Sequence, residues 1–75
     1  MRDEHSLQLF GQNLKKIRTE KKLSQEQLAN SCDLPISQIG RIERGEINTS
    51  LSHAFLIAKT MGIHPKQLFD FDSSN

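Results

Sequence analysis

The 75 residues allow one small domain, because domains usually contain about 100–150 residues. The single cysteine, Cys32, excludes an internal disulfide, and no Cys/His cluster has the spacing of a zinc site. A formal charge of +1 argues against a protein that coats polyanions, and the absence of Trp and Tyr argues against stacking on single-stranded bases.

The apolar pattern predicts helices throughout the chain, since no segment alternates with a period of two. The first apolar face consists of Leu7, Phe10, Leu14 and Ile17. It predicts a helix that begins after Asp3 or Ser6 and ends near Lys22. Gly11 lies inside this helix, either as a tolerated defect or as a point where another helix approaches closely, and we favour the second interpretation.

Two short helices follow. Ser24 and Gln27 form the pattern of a capping box, which predicts a second helix of about eight or nine residues. Pro35 lies in the first turn of a third helix, and Gly45 ends that helix in a left-handed conformation. The inward residues are Leu28, Ala29 and Cys32 in the second helix and Ile39 and Ile42 in the third.

A fourth helix is predicted to begin at Thr49 or Ser50 and to end at Gly62. Its predicted inner stripe is Leu51, Ala54, Phe55, Ala58 and Met61. The pair His64-Pro65 begins a short fifth helix that contains Leu68 and Phe69.

The segment 24–45, with two short helices joined by a tight turn, is typical of a helix-turn-helix. If Ile39 and Ile42 lie in the core, the opposite face of the third helix consists of Ile36, Ser37, Gln38, Arg41 and Arg44. Arg and Gln are side chains that read base edges in the major groove, although any helix also has a solvated face.

Charge is unevenly distributed along the chain. Residues 15–44 contain seven basic and four acidic side chains, a net charge of +3. Residues 45–75 contain two basic and three acidic side chains, a net charge of −1. Positive charge is therefore concentrated on the segment that includes the predicted helix-turn-helix.

Several segments occur together in an order typical of one family: FGQNLKKIR at 10–18, LSQEQLA at 23–29, IGRIERG at 39–45, LIAK at 56–59 and MGI at 61–63. Over about residues 7–69 the chain resembles the Cro/phage-repressor helix-turn-helix family, also called XRE-like or lambda-repressor-like. The resemblance implies an all-α, compact five-helix domain that binds double-stranded DNA as a homodimer and acts as a repressor of transcription. We expect a single domain over 1–75, with flexible tails at 1–5 and 70–75.

The resemblance also assigns residues to roles. The base-reading positions are Ile36, Ser37, Gln38 and Arg41, and the phosphate-binding positions are Ser24, Gln25, Arg44, Asn48 and Ser50. The start of a helix is a favourable place for a phosphate, which agrees with the position of Gln25. Arg18 and Glu43 match a structural pair that ties the first helix to the third.

Some of these positions have a second interpretation. Ile36 either contacts a thymine methyl group or packs on protein, and Gly40 either allows a close approach to the DNA backbone or has no role. Asn48 and Ser50 suit a turn and a helix cap as well as a phosphate contact. Dimerisation is expected to involve the fifth helix and neighbouring residues of the fourth. We predict Phe71 as a dimer contact and Phe69 as a core residue.

The alternative function is that of an antitoxin or another protein-interaction module with the same fold, in which case a toxin or other protein is the partner. An enzyme is not expected, because no nucleophile–base pair or phosphate loop is present. His53 is interpreted as a surface or boundary residue. We predict no metal, cofactor or small-molecule ligand and no membrane segment, and we expect a cytoplasmic protein since no signal peptide is evident.

Overall fold

Four α-helices and one 3₁₀ helix make up the part of the chain that the structure describes, residues 2–72 of a computed structural model. They are α1 (Glu4–Glu20), α2 (Gln25–Cys32), α3 (Ile36–Glu43), α4 (Leu51–Met61) and the 3₁₀ helix (Pro65–Phe69). These residues contain no strand, so the all-α prediction is confirmed for them. The predicted fifth helix is a 3₁₀ helix, and a count of five α-helices is not confirmed.

Side chains cap three of the α-helices at their first turn. Asp3 Oδ1 accepts a hydrogen bond from the Ser6 amide at 3.0 Å, which begins α1. The predicted capping box is present at α2, because Gln27 N donates to Ser24 Oγ at 3.0 Å and Ser24 N donates to Gln27 Oε1 at 2.8 Å. Ser50 caps α4. Each cap satisfies backbone N–H groups that have no partner inside the helix.

The start and end of α3 differ in how well the sequence predicts them. Pro35 is extended (ψ 141°) and is the N-cap residue, one position before the helical turn in which the sequence pattern placed it. Gly45 has φ +73° and donates its N–H to the carbonyl of Ile42, as predicted for a left-handed residue after a helix.

The core is shared by all five helices. The largest fully buried side chains are Leu14, Leu28, Ile39, Ile42, Ile57 and Leu68. Leu28, Ala29 and Cys32 are buried together, which confirms the predicted inner face of α2. The predicted inner residues of α3, Ile39 and Ile42, are also confirmed.

The inner face of α4 was predicted only in part. Leu51 is 70% exposed and Phe55 is 55% exposed, whereas Ile57 is fully buried. The buried positions of α4 are Ala54, Ile57, Ala58 and Met61, which follow the i, i+3, i+4, i+7 spacing of one helix face. The prediction of Leu51 and Phe55 as inner residues is therefore wrong, because α4 carries apolar side chains on two faces.

Gly11 lies where α1 approaches the end of α3 closely. A β-carbon built at Gly11 would lie 2.5 Å from the carbonyl oxygen of Glu43, at the end of α3. Only hydrogen fits at such a distance, so the backbones of the two helices are in direct contact. This confirms the interpretation of Gly11 as a close approach of another helix.

Candidate nucleic-acid interface

The second and third helices have the arrangement of a helix-turn-helix. Three residues, 33–35, connect α2 to α3, and Asp33 makes the turn with a left-handed conformation (φ +59°). Burial of Ile39 and Ile42 fixes the inner face of α3 against the core. The opposite face of α3 is consequently turned toward solvent, with Ile36, Ser37 and Arg41 exposed on it.

The four residues predicted to read bases lie at the exposed side of α3. Ile36 is 49% exposed, Ser37 and Arg41 are exposed, and Gln38 is half-buried. The Arg41 side chain is only loosely held, with Nε 4.0 Å from Glu46 Oε1. An exposed apolar side chain beside an amide and a guanidinium offers both a methyl contact and hydrogen-bond donors to a ligand.

Gln38 has a partner on α4. Its Nε2 lies 3.2 Å from Nδ1 of His53, and the backbone N–H of His53 donates to Ser50 Oγ. Sequence reasoning did not connect Gln38 and His53, since they are 15 residues apart on different helices.

A buried ion pair joins α1 to the last residue of α3. Arg18 Nε donates to Glu43 Oε2 at 2.6 Å, and Arg18 Nη2 donates to Glu43 Oε1 at 3.1 Å. Both residues are more than nine-tenths buried. Arg18 Nη1 also donates to the carbonyl of Leu23 at 2.7 Å, just before α2 begins. The structure thus brings together the two residues that the resemblance paired.

Gln25 belongs to the same network, which sequence reasoning missed. Its Nε2 donates to Glu43 Oε1 at 2.8 Å. One amide hydrogen of Gln25 is used in this way, and an amide nitrogen has a second one to donate. The position of Gln25, first in α2, is therefore fixed through Glu43 by the arginine of α1.

Arg44, a predicted phosphate ligand, lies against Glu46. Arg44 Nε donates to Glu46 Oε2 at 2.6 Å, and both side chains are largely exposed. Hydrogen bonding from Arg44 lowers the pKa of the Glu46 carboxyl below its ordinary value, and the same bond raises the pKa of Arg44. Sequence analysis also did not assign Glu46 to the site, although it follows Arg44 by only two positions.

Gly40 makes room for this arginine. A β-carbon at Gly40 would lie 3.0 Å from Arg44 Nη1 and 3.6 Å from Gln25 Oε1. The side of α3 that carries Gly40 is therefore covered by the Arg44 guanidinium, next to the Gln25 amide.

The other predicted phosphate ligands lie at helix starts and in a loop. Ser24 and Ser50 each cap a helix by accepting a hydrogen bond at Oγ, and Asn48 is exposed in the loop before α4. A capping hydroxyl still has its own hydrogen to donate.

Two phenylalanines near the C-terminus have different surroundings. Phe69 is 48% exposed, with its ring 5.1 Å from that of Phe10, so the prediction of Phe69 as a core residue is wrong. Phe71 is partly buried and packs against the core. The reason is that the 3₁₀ helix directs Leu68 inward, which leaves the next side chain outside. Residues 73–75 of the predicted tail lie outside the described residues.

Within residues 2–72, no group of His, Cys, Asp and Glu is arranged to hold a metal ion. None of the helices in this range is both long and apolar enough to cross a bilayer.

Comparison with known proteins identifies the family. Residues 14–68 match the HTH_3 helix-turn-helix family. The chain belongs to this helix-turn-helix family. It is 48% identical over 64 residues to the control protein C.BamHI of Bacillus amyloliquefaciens, which covers 84% of this chain and 79% of the relative. This confirms the resemblance stated from the sequence.

A second relative and a solved structure support the helix-turn-helix assignment. The immunity repressor protein of Bacillus phage phi105 is 45% identical over 53 residues, which is 71% of this chain but only 37% of the repressor. The crystal structure of the restriction-modification controller protein C.AhdI of Aeromonas hydrophila superposes with a TM-score of 0.82. It is 44% identical, and the match covers 84% of this chain and 96% of that one.

These relatives are named as a control protein, an immunity repressor and a restriction-modification controller protein. The expectation that this chain is not an enzyme is confirmed by the match to the helix-turn-helix family.

Proposed function

We propose that this helix-turn-helix protein binds a specific DNA sequence as a homodimer and represses transcription at an inverted-repeat operator. The observation that carries the proposal is the exposed outer face of α3, on which Ser37, Gln38 and Arg41 lie beside Ile36. The inner face of the same helix is fully buried, so α3 is rigidly held. A helix so presented fits the major groove, which is about 12 Å wide.

Base reading is assigned by chemistry. Arg41 is suited to a bidentate contact with guanine and Gln38 to one with adenine. Ser37 is suited to either base, and Ile36 to the methyl group of thymine. These contacts specify the sequence, whereas contacts to phosphates set the position of the protein on the duplex.

Phosphate binding is assigned to two groups on either side of α3. Ser24 and Gln25 lie at the start of α2, where free N–H groups and the helix dipole favour an anion. The second group, after α3, consists of Arg44, Asn48 and Ser50. The buried Arg18–Glu43 pair supports this assignment, because it holds Gln25 in place through the Glu43 carboxylate.

An apolar surface supports the homodimer. Leu51, Phe55 and Phe69 are three large apolar side chains that are about half exposed or more, and we call these three residues the apolar surface. Beside it, Leu51 and Phe69 line a cavity of about 220 Å³ together with Phe10 and Phe71. Exposed apolar side chains in such a cluster are typical of a protein–protein interface. Two subunits paired in this way would present two copies of α3 to half-sites about one helical turn apart.

Repression follows from occupancy. A dimer bound over a promoter excludes the polymerase, and no second domain is needed for that effect. The names of the relatives, a control protein and an immunity repressor, support regulation of transcription as the biological outcome.

The test is selection from a library of random DNA duplexes with the wild-type protein, Arg41→Ala and Gln25→Ala. We expect the wild type to recover two inverted half-sites. Arg41→Ala should lose preference at one position of each half-site by about 1–3 kcal/mol, whereas Gln25→Ala should weaken binding to all sequences alike. Lys59→Ala, which removes an exposed cation from the last turn of α4, is the matched control and should recover the wild-type motif.

Recovery of no motif by the folded wild-type protein would exclude sequence-specific DNA binding. That result would favour the second candidate, a protein-interaction module such as an antitoxin. The half-exposed Ile36 on α3 supports that candidate, since an apolar side chain suits a protein surface as well as a thymine methyl group.

A further inference from the structure

A hydrogen bond connects α3, the helix of the proposed DNA interface, to α4. Nε2 of Gln38 lies 3.2 Å from Nδ1 of His53, and both side chains are half-buried. Each residue is the third of its helix, so the bond joins the first turn of α3 to the first turn of α4. The function proposed above uses Gln38 but gives His53 no role.

The direction of this hydrogen bond follows from the amide nitrogen that faces His53 in the structure. An amide nitrogen carries two hydrogens and accepts nothing, so Gln38 donates and His53 Nδ1 accepts. A neutral imidazole that accepts at Nδ1 carries its hydrogen on Nε2. The contact therefore fixes the direction in which the Gln38 amide faces, with Nε2 toward α4 and Oε1 away from it.

The direction of the amide matters because its two ends have opposite chemistry. A bidentate contact with adenine needs an N–H that donates to N7 and a carbonyl oxygen that accepts from the N6 amino group. Rotation of the amide by half a turn exchanges donor and acceptor, and both bonds are then lost. A glutamine held at Nε2 still has its second N–H and its oxygen to offer to a base.

His53 is itself well held. Its backbone N–H donates to the capping hydroxyl of Ser50 at 3.0 Å. The next residue, Ala54, is buried in the core, and so is Ile57 one turn later. A side chain supported by a packed and capped helix turn positions its partner more accurately than one on a loop.

From this arrangement we infer that His53 is a positioning residue, which fixes the Gln38 amide and so determines which base is preferred at the position that Gln38 reads. The inference rests on the proposed function, since it requires that α3 reads bases. It adds to that function a residue on a different helix that does not itself need to contact DNA. Fixing the side chain before binding also reduces the conformational entropy that is lost on the DNA.

A purely structural hydrogen bond between α3 and α4 would have different consequences. Its loss would lower the melting temperature and weaken binding to all duplexes by one common factor. Loss of a positioning contact changes the preference at a single base position, and only as long as Gln38 is present. The two effects are therefore separable by a binding experiment.

The experiment uses the full chain and two substitutions of His53. His53→Phe keeps an aromatic ring but removes the acceptor. His53→Asn keeps an acceptor, because the Oδ1 of Asn is separated from the backbone by the same number of bonds as the Nδ1 of His. His5→Phe, at an exposed position in the first turn of α1, is the matched control for the exchange of an imidazole for a phenyl ring.

The position read by Gln38 is defined first, as the base position whose preference disappears in Gln38→Ala. Competition binding then compares the four bases at this position for each variant, with circular dichroism to establish that each variant is folded. We expect His53→Phe to reduce the preference at this position by roughly tenfold, within the range expected for a bidentate contact. His53→Asn and His5→Phe should retain it, and the double variant of Gln38→Ala with His53→Phe should equal Gln38→Ala alone.

Three results would overturn the inference: an unchanged preference in folded His53→Phe, an equal loss of affinity for all duplexes, or a further change of preference in the double variant. If the wild type recovers a motif in which no position depends on Gln38, the inference about His53 also fails, although the proposed function stands. If the wild type recovers no motif, the proposed function itself fails. Whether the wild type recovers a motif thus separates failure of the proposed function from failure of the inference about His53.

Discussion

Arg18 and Glu43 form a bidentate ion pair, with N···O distances of 2.6 and 3.1 Å, although both residues are more than nine-tenths buried. Removing one member of such a pair leaves a charge without its partner in a poorly solvated place. Arg18→Ala should therefore lower the free energy of unfolding by about 3–5 kcal/mol, a large part of the total stability of a small domain.

Urea denaturation followed by circular dichroism measures this effect. Arg41→Ala removes an arginine whose side chain is 55% exposed, and it should change the free energy of unfolding by no more than about 0.5 kcal/mol. Equal urea midpoints for Arg18→Ala and Arg41→Ala would show that the buried pair does not stabilise the fold.

Gly11 and Gly40 provide a matched pair of substitutions. A β-carbon at Gly11 would meet the backbone of α3 at 2.5 Å, which cannot move aside, so Gly11→Ala should be strongly destabilising. A β-carbon at Gly40 would meet the end of the flexible Arg44 side chain at 3.0 Å. Gly40→Ala should then gain up to about 1 kcal/mol from helix propensity. Thermal denaturation compares the melting temperature of each variant with that of the wild type. A lower melting temperature for Gly40→Ala would contradict this description of its surroundings.

Gln25 and Arg44 should differ in their dependence on salt. Both are assigned to phosphates, but only Arg44 carries a charge that displaces a counterion. Arg44→Ala should reduce the slope of log K against log salt by about 0.9, whereas Gln25→Ala should weaken binding with an unchanged slope. Fluorescence anisotropy between about 50 and about 200 mM salt measures both slopes. Identical slopes for the wild type and Arg44→Ala would remove Arg44 from the phosphate contacts.

Glu46 should oppose DNA binding. It holds Arg44 through a hydrogen bond of 2.6 Å, and this bond keeps the pKa of the Glu46 carboxyl below its ordinary value of 4.5. The carboxylate is therefore charged throughout the neutral pH range, where it competes with phosphate for Arg44. Glu46→Gln should bind all duplexes more tightly at neutral pH. Glu20→Gln, at the end of α1, removes the same charge from another place, and an equal gain there would show a general effect of net charge.

The apolar surface makes a prediction about assembly. Leu51→Asp places a charge in the apolar surface, which also contains Phe55 and Phe69. An acidic side chain in the first turn of α4 is favourable for the helix itself, because it interacts with the positive end of the helix dipole. We expect sedimentation to show monomers for this variant and dimers for the wild type. Ser52→Asp adds the same charge one residue away and should remain dimeric. If Phe71→Ala also keeps the mass of the dimer, Phe71 lies outside the interface.

Patterns of neighbouring residues predicted the helices and their ends well. They predicted the contacts between helices poorly. The capping box of Ser24 and Gln27 and the left-handed Gly45 depend on neighbouring residues, and both were predicted correctly. The face of α4 was assigned wrongly at Leu51 because apolar side chains occur on two of its faces. A single helix pattern cannot show which of two apolar faces meets the core.

The candidate site shows the same division. The exposure of Arg41 and Ser37 follows from the burial of the opposite face of α3, which the sequence predicts. The bonds of Gln38 to His53 and of Gln25 to Glu43 span 15 and 18 residues. No spacing rule covers such distances, because they depend on how the helices pack. The Arg18–Glu43 pair was expected only through the family resemblance.

The direct contact at Gly11 lies on only one side of α3. The inner row and the last residue of α3 are fixed by the backbone of α1 and by Arg18. The exposed residues of α3, at positions 36, 37 and 41, take no part in this contact with α1. Under the proposed function, residues 36, 37 and 41 could therefore be exchanged as a group to retarget the protein to another operator, with the docking angle of the helix unchanged. Position 38 would have to be redesigned together with position 53, since the two side chains are hydrogen-bonded.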